Sequence, residues 1–344
     1  MLNPNALLKW YDQNARQLPW RVSPLDRKSN IRPDPYRIWL SEIMLQQTTV
    51  ATVKDYYRRF LTKWPTIQDL AVAPLDDVLT IWAGLGYYAR ARNLHACAQE
   101  VAQNYAGTFP RDSQSLANLP GIGPYTSAAI AAICYDERVA VIDGNVERVT
   151  SRILALPNPV KNSKPQIRDV VQSHVPSRAG DFAQGMMDLG ATICTPKTPQ
   201  CNSCPLSKNC QGFATGNPAQ FPIKLTKKPR PTRYGHAFVI QLKSGEVLLQ
   251  KRPEKGLLAK MTQVPNSEWT TLQPDVDFPV SGDWKSAPEV VHIFTHFRLE
   301  LQVWHLAPCA KSQKIDGFWI DPNQLDHQAL PTLFRKVLIA ADLP

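Results

Sequence analysis

Residues 119–148 form the stretch LPGIGPYTSAAIAAICYDERVAVIDGNVER, which predicts the central motif of the fold. A turn that contains Gly121 and Gly123 leads into an alanine-rich helix from about Tyr125 to Cys134. Glycine can adopt positive φ angles, and the free backbone N–H groups at a helix N-terminus bind anions. The turn is therefore predicted to hold a phosphate group.

A carboxylate follows this helix at a fixed position. The apolar run Val139–Ile142 ends at Asp143, and Gly144 and Asn145 form a turn into a second amphipathic helix. One carboxylate near one phosphate site suits an enzyme that holds a nucleic-acid backbone and acts on the attached sugar. A plainer interpretation also fits, in which the glycines only make a tight turn and Asp143 or Asn145 only caps a helix.

Length and composition describe an ordinary globular protein. The chain has 344 residues, enough for about two domains, with 43% hydrophobic and 20% charged residues. No apolar run approaches the roughly 20 residues of a membrane span, and polar residues interrupt the N-terminal segment where a secretory signal would be apolar. We therefore expect a protein that stays inside the cell and does not enter a membrane.

The net charge of +10 is unevenly distributed along the chain. Residues 1–222 carry a net charge of +6, residues 223–233 carry +5, and residues 234–344 carry −1. A basic first half and a basic connector favour binding of a polyanion such as a nucleic acid.

Glu42 lies in unusual surroundings for a carboxylate. Asp34 and Pro35 are predicted to begin a helix, and Glu42 lies just off its apolar stripe. Its neighbours three and four positions away along that helix include Ile38 and Trp39. Loss of water around the carboxylate should raise its pKa and favour the protonated form.

A loop with two glycines, two tyrosines and two arginines occupies residues 84–92. Such a loop can contact DNA, and an aromatic ring from Tyr87 or Tyr88 can insert between bases. The alternative is that both tyrosines belong to the hydrophobic core.

Four cysteines lie within 17 residues, whereas only three others occur in the chain. In a protein inside the cell this grouping favours a metal site over disulfides. Zinc sites usually contain two close pairs, but here one close pair lies between two single cysteines, which favours a [4Fe-4S] cluster. With all four as ligands, such a cluster is structural or redox-sensing. The four are Cys194, Cys201, Cys204 and Cys210.

The periodicity changes from helical to strand-like after the linker at residues 216–233. A hairpin is predicted over residues 236–251, a long strand over Val290–Trp304, and a final helix over Pro331–Ala340. In the predicted long strand, Phe294 and His296 share the polar face.

Several segments together resemble the MutY family of adenine DNA glycosylases, which belongs to the helix-hairpin-helix superfamily with endonuclease III. The resemblance covers nearly the whole chain and implies a mainly α N-terminal helix-hairpin-helix glycosylase domain with an iron-sulfur cluster loop, plus an α+β Nudix-like C-terminal domain. The expected bounds are residues 1–215, a linker at 216–233, and residues 234–344. The segments are WLSEIMLQQTTV (39–50), GLGYYARARNL (84–94), LPGIGPYTSAAI (119–130), VIDGNVERV (141–149) and the cysteine spacing.

The resemblance implies roles for individual residues. Glu42 would protonate the adenine, and Asp143, supported by Asn145, would stabilise positive charge on the sugar. Adenine would first be flipped out of the duplex. Leu45, Gln46 and Tyr87 would then fill or probe the gap, while Gly121 and Gly123 would hold a phosphate.

Tyr125 occupies the position at which the lyase-active relatives carry lysine, and no lysine occurs between Lys63 and Lys161. A Schiff-base nucleophile is thus missing near Asp143, which predicts a monofunctional glycosylase that leaves the DNA strand intact.

The C-terminal domain resembles the module that recognises 8-oxoguanine opposite the adenine. Phe294, Thr295 and His296 match the Phe-Ser-His motif of the family, with threonine in place of serine. Nudix hydrolases use several glutamates to bind a metal, but residues 256–269 contain only Glu268, so this domain should bind rather than hydrolyse.

The expected substrate is double-stranded DNA with A:8-oxoguanine or A:G mispairs, bound by a monomer with one [4Fe-4S] cluster. The protein would be cytoplasmic and associated with DNA, or nuclear or mitochondrial in a eukaryote. The sequence does not identify a sliding-clamp or mismatch-repair partner. The alternatives are an endonuclease III-like or mismatch glycosylase with another base specificity, and a non-catalytic iron-sulfur protein that binds DNA.

Overall fold

The computed structural model describes residues 2–225, 229–309 and 315–343. These residues divide into two compact units, residues 2–72 with 96–225 and residues 73–95 with 229–343. Residues 226–228, part of the predicted linker, lie outside the described residues. Within the described ranges, no helix is long and apolar enough to cross a membrane.

The first half of the chain is helical, as predicted. One short helix lies within the polar, proline-containing segment of residues 21–35, where Ser23 caps a helical turn with Pro24 at its first position. The helices are α1 (Pro4–Asn14), α2 (Pro24–Lys28), α3 (Pro35–Leu45), α4 (Val50–Lys63), α5 (Ile67–Val72), α6 (Leu75–Trp82), α7 (Ala89–Asn104), α8 (Ser113–Leu116), α9 (Pro124–Tyr135), α10 (Gly144–Ile153), α11 (Val160–Ser173), α12 (Ala179–Thr192) and α13 (Gln211–Ala214).

Helix α9 is the buried centre of the first unit. Every residue from Thr126 to Cys134 is buried, and α9 packs against α3, α8 and α12. Its small alanine side chains allow these helices to approach closely. The helix-hairpin-helix motif thus consists of α8, the turn at residues 119–123, and α9.

The two glycines of the turn differ in conformation. Gly121 has a φ of 72°, which favours glycine, whereas Gly123 has a φ of −88° and is the N-cap of α9. Of the two glycines, Gly121 therefore uses the positive φ that glycine allows, whereas extended backbone at Gly123 precedes the helix.

Helix α12 approaches the start of α10 closely. A Cβ at Gly190 would lie 2.5 Å from the Cβ of Asn145, closer than real atoms pack. Glycine at this position therefore allows Asn145 to pack against α12.

The second unit contains an α+β sheet structure, as predicted. The strand order is β3-β2-β1-β5-β4, with β6 also paired to β2. Strands β1 and β5 are parallel, and the other pairs are antiparallel. Helix α14 packs on β1 and β4. The elements are β1 (Thr232–Leu242), β2 (Val247–Lys251), β3 (Thr262–Gln263), β4 (Lys285–Ile293), β5 (Arg298–Cys309), β6 (Phe318–Ile320) and α14 (Thr332–Ala340).

The long strand predicted over Val290–Trp304 is wrong, because β4 and β5 are two antiparallel strands joined by a turn at residues 294–297. The backbone N–H of Phe294 donates to the Phe297 carbonyl oxygen at 2.9 Å and closes this turn. Apolar and polar residues alternate in the same phase before and after residues 294–297, and these four residues include no glycine or proline. The sequence pattern therefore gives no sign of the turn. We call residues 294–297 the β4–β5 turn.

Candidate active site

A cleft of about 840 Å³ opens in the first unit, within the size range of ligand pockets. It lies between the C-terminal part of α3, the hairpin turn, the start of α10 and the later part of α12. The structure brings together eight of the residues singled out in the sequence: Glu42, Leu45, Gln46, Gly121, Gly123, Tyr125, Asp143 and Asn145.

Glu42 is buried in the wall of this cleft, with 7% of its surface exposed. Burial raises the pKa of Glu42 to about 7, and the nearby Asp143 carboxylate adds to the increase. The Tyr125 hydroxyl donates a hydrogen bond to Glu42 Oε2 at 2.8 Å, and together with the Arg21 charge it opposes the shift. Glu42 is thus a carboxylic acid that carries a proton in a large fraction of molecules at neutral pH.

Asp143 is the N-cap of α10. Its Oδ1 accepts the backbone N–H of Val146 at 2.8 Å, and its Oδ2 accepts the side-chain amide of Asn145 at 2.7 Å. Asp143 therefore caps helix α10, as the plainer interpretation predicts, and it also lines the cleft. The two hydrogen bonds fix the carboxylate orientation at the positive end of the helix.

A chain of hydrogen bonds continues from Asn145. Its Oδ1 accepts from Arg148 Nη2 at 2.9 Å, and Arg148 also donates to the backbone oxygens of Gly190 and Cys194, at 2.7 and 2.9 Å. Arg148 thereby holds Asn145 against α12, and Asn145 in turn orients Asp143.

Sequence reasoning missed a buried ion cluster at the same cleft. Asp188 on α12 is fully buried and accepts from the side chains of Arg16 and Arg21, at 2.5 and 2.6 Å. A buried carboxylate needs such partners because it has lost its water. The available signal was an aspartate in the apolar second half of α12, together with an arginine on each side of the turn at Pro19.

Tyr87 and the β4–β5 turn belong to the second unit. Tyr88 is buried, as the core alternative predicts, whereas Tyr87 is 44% exposed and lies outside the core. Phe294 packs its ring on Trp269 at 5.8 Å, while Thr295 and His296 are exposed. Phe294 therefore supports the turn, and Thr295 and His296 form its accessible surface.

The four cysteines line a separate pocket of the first unit. Burial raises the pKa of Cys201, Cys204 and Cys210, to about 11 for Cys204, and the neighbouring thiols add to this. None of the four is in a disulfide. Among the residues described, no three ligand-type side chains form a group that could hold a single metal ion.

Arg152 closes one wall of the cysteine pocket. Its guanidinium is buried and donates to the oxygens of Thr195, Pro196 and Phe221 at 2.7 to 3.0 Å. Its Nη1 lies 3.3 Å from Cys194 Sγ. Four clustered cysteine sulfurs beside this fixed positive charge form a donor set that suits a metal group bound by thiolates.

Two family models match the chain. Residues 40–173 match the HhH-GPD superfamily base excision DNA repair protein, and residues 236–340 match the NUDIX domain. The matches confirm the predicted helix-hairpin-helix domain and the Nudix-like C-terminal domain.

Known proteins resemble the chain over most of its length. An adenine DNA glycosylase of Rattus norvegicus is 36% identical over 96% of this chain and 76% of its own. One of Buchnera aphidicola subsp. Acyrthosiphon pisum is 35% identical over 96% and 95%. The structure of a thermostable thymine-DNA glycosylase is 30% identical, with a TM-score of 0.54 over 62% of this chain and 95% of its own. The chain therefore belongs to the adenine DNA glycosylase family of base-excision DNA repair enzymes.

Proposed function

We propose that this enzyme removes adenine paired with 8-oxoguanine or guanine from double-stranded DNA by hydrolysis of the N-glycosyl bond. One observation carries the proposal: a buried carboxylic acid, Glu42, and a capped carboxylate, Asp143, line the same cleft. The division into a proton donor and a charge stabiliser is the one that carboxylate pairs use on sugar bonds.

The chemistry requires both groups. Adenine is a poor leaving group as an anion, so Glu42 donates its proton to the flipped base as the bond to the sugar breaks. The bonding electrons leave with adenine, and the positive charge on the sugar faces Asp143. Water then adds to the sugar carbon and releases a proton. Leu45, Gln46 and Tyr87 fill or probe the gap in the duplex, and Gly121 and Gly123 hold a phosphate.

A monofunctional mechanism agrees with the residues of the cleft. Among the described residues that line the cleft, none is a lysine, and the Tyr125 hydroxyl donates a hydrogen bond to Glu42. The sugar carbon therefore meets water rather than an amine, and no Schiff base forms.

Recognition of the opposite base falls to the second unit. Thr295 and His296 are exposed on a turn that is supported by Phe294. Residues 256–269 contain a single glutamate, Glu268, whereas a Nudix-type metal site needs several. This unit binds 8-oxoguanine without hydrolysing it.

A [4Fe-4S] cluster fits the cysteine pocket. All four thiols are half-buried, and burial raises the pKa of Cys201, Cys204 and Cys210, so these thiols require a cationic partner to become thiolates. The Arg152 guanidinium already lies beside Cys194. Cys194, Cys201, Cys204 and Cys210 would hold the cluster, which supplies cross-linking of this loop and no step of the reaction.

A single-turnover assay tests the function. The substrate is a duplex with one A:8-oxoguanine pair, and both free adenine and strand breaks are measured with and without alkali. Release of adenine with breaks only after alkali supports the proposal. Binding without release would favour a non-catalytic DNA-binding protein. Release of another base would indicate a different base specificity, and strand breaks without alkali would indicate a lyase.

The pH dependence of base release follows from Glu42. Because burial raises its pKa to about 7, the proton donor is present below this pH and is lost above it. We expect the single-turnover rate constant at subsaturating enzyme to be level in mildly acidic buffer and to fall about tenfold per pH unit well above neutrality. A decline that begins below pH 6 would contradict the assignment.

The variant Tyr125→Phe should shift the pH dependence of base release. The Tyr125 hydroxyl stabilises the charged form of Glu42, so its removal should raise the pKa of Glu42 and move the decline to higher pH. A shift in the opposite direction would show that another group titrates.

Loss of one cysteine tests the cluster. Cys204→Ala should greatly reduce the iron bound per chain, measured by chemical iron and sulfide analysis and by visible absorbance. Cys97→Ala is the control because Cys97 is buried outside this pocket. Zinc in place of iron, or equal iron in both variants, would overturn the proposal.

A further inference from the structure

One face of helix α12 supplies part of the wall of the cleft that holds Glu42. Gln184, Met187 and Ala191 line this cleft, and their spacing of three and four residues places them on the same face of the helix. Met187 thus brings a thioether sulfur to the space that we assign to the flipped adenine.

Met187 differs in exposure from the other methionines of the described ranges. It keeps 7% of its surface exposed and borders an open cleft of about 840 Å³, a space that a molecule as small as hydrogen peroxide can enter. An oxidant must reach the sulfur to convert methionine into its sulfoxide. We therefore expect Met187 to be oxidised before the others. Those are at most 1% exposed: Met44, Met186 and Met261.

The Met187 sulfur lies beside the hydroxyl that bonds to Glu42. Sδ is 4.0 Å from Tyr125 Oη, and the same hydroxyl donates to Glu42 Oε2 at 2.8 Å. A phenolic hydroxyl has one proton to donate, and a thioether sulfur is a weak acceptor. Glu42 therefore takes this hydrogen bond as long as Met187 is reduced.

We propose that Met187 is an oxidation site at which a hydroperoxide alters the proton donor of the cleft, an inference that rests on the proposed function. With hydrogen peroxide, a sulfur lone pair attacks one oxygen and the O–O bond breaks. The other oxygen leaves as hydroxide, which takes the proton from the transferred oxygen and becomes water. Two electrons pass from the sulfur to the peroxide, and the product is methionine sulfoxide.

The sulfoxide competes with Glu42 for the Tyr125 hydroxyl. An oxygen on the sulfur lone pair that faces Tyr125 lies within hydrogen-bond reach of Oη, because the sulfur itself is only 4.0 Å away. When Glu42 is protonated, Tyr125 can donate to the sulfoxide instead. When Glu42 is ionised, both acceptors need the same proton.

The sulfoxide therefore stabilises the protonated form of Glu42 relative to the ionised form. The pKa of Glu42 should rise further, since Tyr125 is the hydrogen bond that lowers it in the reduced protein. Arg21 and Asp143, the charged groups that also face Glu42, keep their charges. The proton donor of the oxidised protein thus persists to higher pH.

The oxidation site is tested by peptide mass spectrometry of the whole protein after treatment with hydrogen peroxide. Met187 should gain an oxygen well before Met186, its neighbour in the chain, which serves as an internal control because it is 1% exposed. Oxidation of Met186 as early as Met187 would overturn the assignment, because exposure to the cleft would then not direct the reaction.

The effect on Glu42 is tested by the pH dependence of single-turnover adenine release before and after oxidation. In the oxidised protein the decline should move about one pH unit higher, the size of one hydrogen bond to a charged group. Methionine sulfoxide reductases for both sulfoxide epimers should restore the original profile. Iron is measured in parallel, because loss of a cluster would lower the rate constant at every pH without moving the decline.

Three variants, each compared with its own untreated sample, identify the route. Met187→Leu conserves volume and should show no shift after peroxide, whereas Met186→Leu should show the full shift. Tyr125→Phe removes the hydroxyl for which the acceptors compete, so oxidation should move its profile little further. A full shift in Met187→Leu would overturn the site, and a full shift in Tyr125→Phe would overturn the route through the hydroxyl.

Failure of this inference is distinguishable from failure of the proposed function. If the untreated protein releases no adenine, the proposed function fails, and mass spectrometry still decides whether Met187 is oxidised first. If the protein releases adenine and complete oxidation of Met187 leaves the profile in place, only this inference fails.

Discussion

Glu42→Gln is expected to abolish adenine release while DNA binding persists. Glutamine has nearly the same shape, and its amide oxygen can still accept from Tyr125, so the cleft should keep its structure. What it lacks is an acidic proton, and general acid catalysis contributes about 10²- to 10⁴-fold in rate. The loss should approach the upper end of this range because the adenine anion is such a poor leaving group.

Single-turnover base release and DNA binding, measured on the same preparation, separate the two effects. Glu254→Gln is the matched control because Glu254 is exposed in the second unit. Undiminished release by Glu42→Gln would remove Glu42 from the role of proton donor. Loss of binding together with release would mean that the substitution damages the fold of the cleft.

Asp143→Asn should lower the rate of base release by about 10²- to 10³-fold, the typical cost of removing one electrostatic partner of a transition state. Asparagine is as good an N-cap as aspartate, so helix α10 should remain intact. The substitution removes the negative charge opposite the sugar and keeps an oxygen for the Val146 N–H.

Asp112→Asn is the control for this change. Asp112 is also an aspartate N-cap, of α8, and accepts from the Ser115 N–H at 2.7 Å. We expect nearly equal melting temperatures for the two variants and a rate defect only for Asp143→Asn. Equal, small rate effects would show that Asp143 acts only as a helix cap.

Sequence pattern could identify those site residues whose characteristic neighbours lie within one or two helical turns along the chain. The glycine turn, the alanine-rich helix and the apolar neighbours of Glu42 all have this property, and the structure brings Glu42 and Asp143 to one cleft. The partners of Asp188 do not, because Arg16 lies 172 residues away along the chain. No periodicity connects such residues, and only tertiary packing brings them together.

The β4–β5 turn shows a different limit. Alternation predicts strand on both sides of residues 294–297, but it contains no information on a reversal whose turn lacks glycine and proline. The two adjacent tyrosines show a related limit, because composition predicts the same environment for both. In the structure, the left-handed backbone at Tyr87 turns its ring outward, whereas Tyr88 is buried.

Tyr87 Oη and Thr295 Oγ1 lie 2.6 Å apart in the second unit, and this contact affects how the protein can fold during synthesis. The two residues are 208 positions apart, so at about 5 to 20 residues per second the ribosome makes Thr295 roughly 10 to 40 s after Tyr87. During that interval residues 73–95 have none of their partners from the sheet, and their apolar surface is available to chaperones or to other nascent chains. The second unit can only be completed after translation of the C-terminal half.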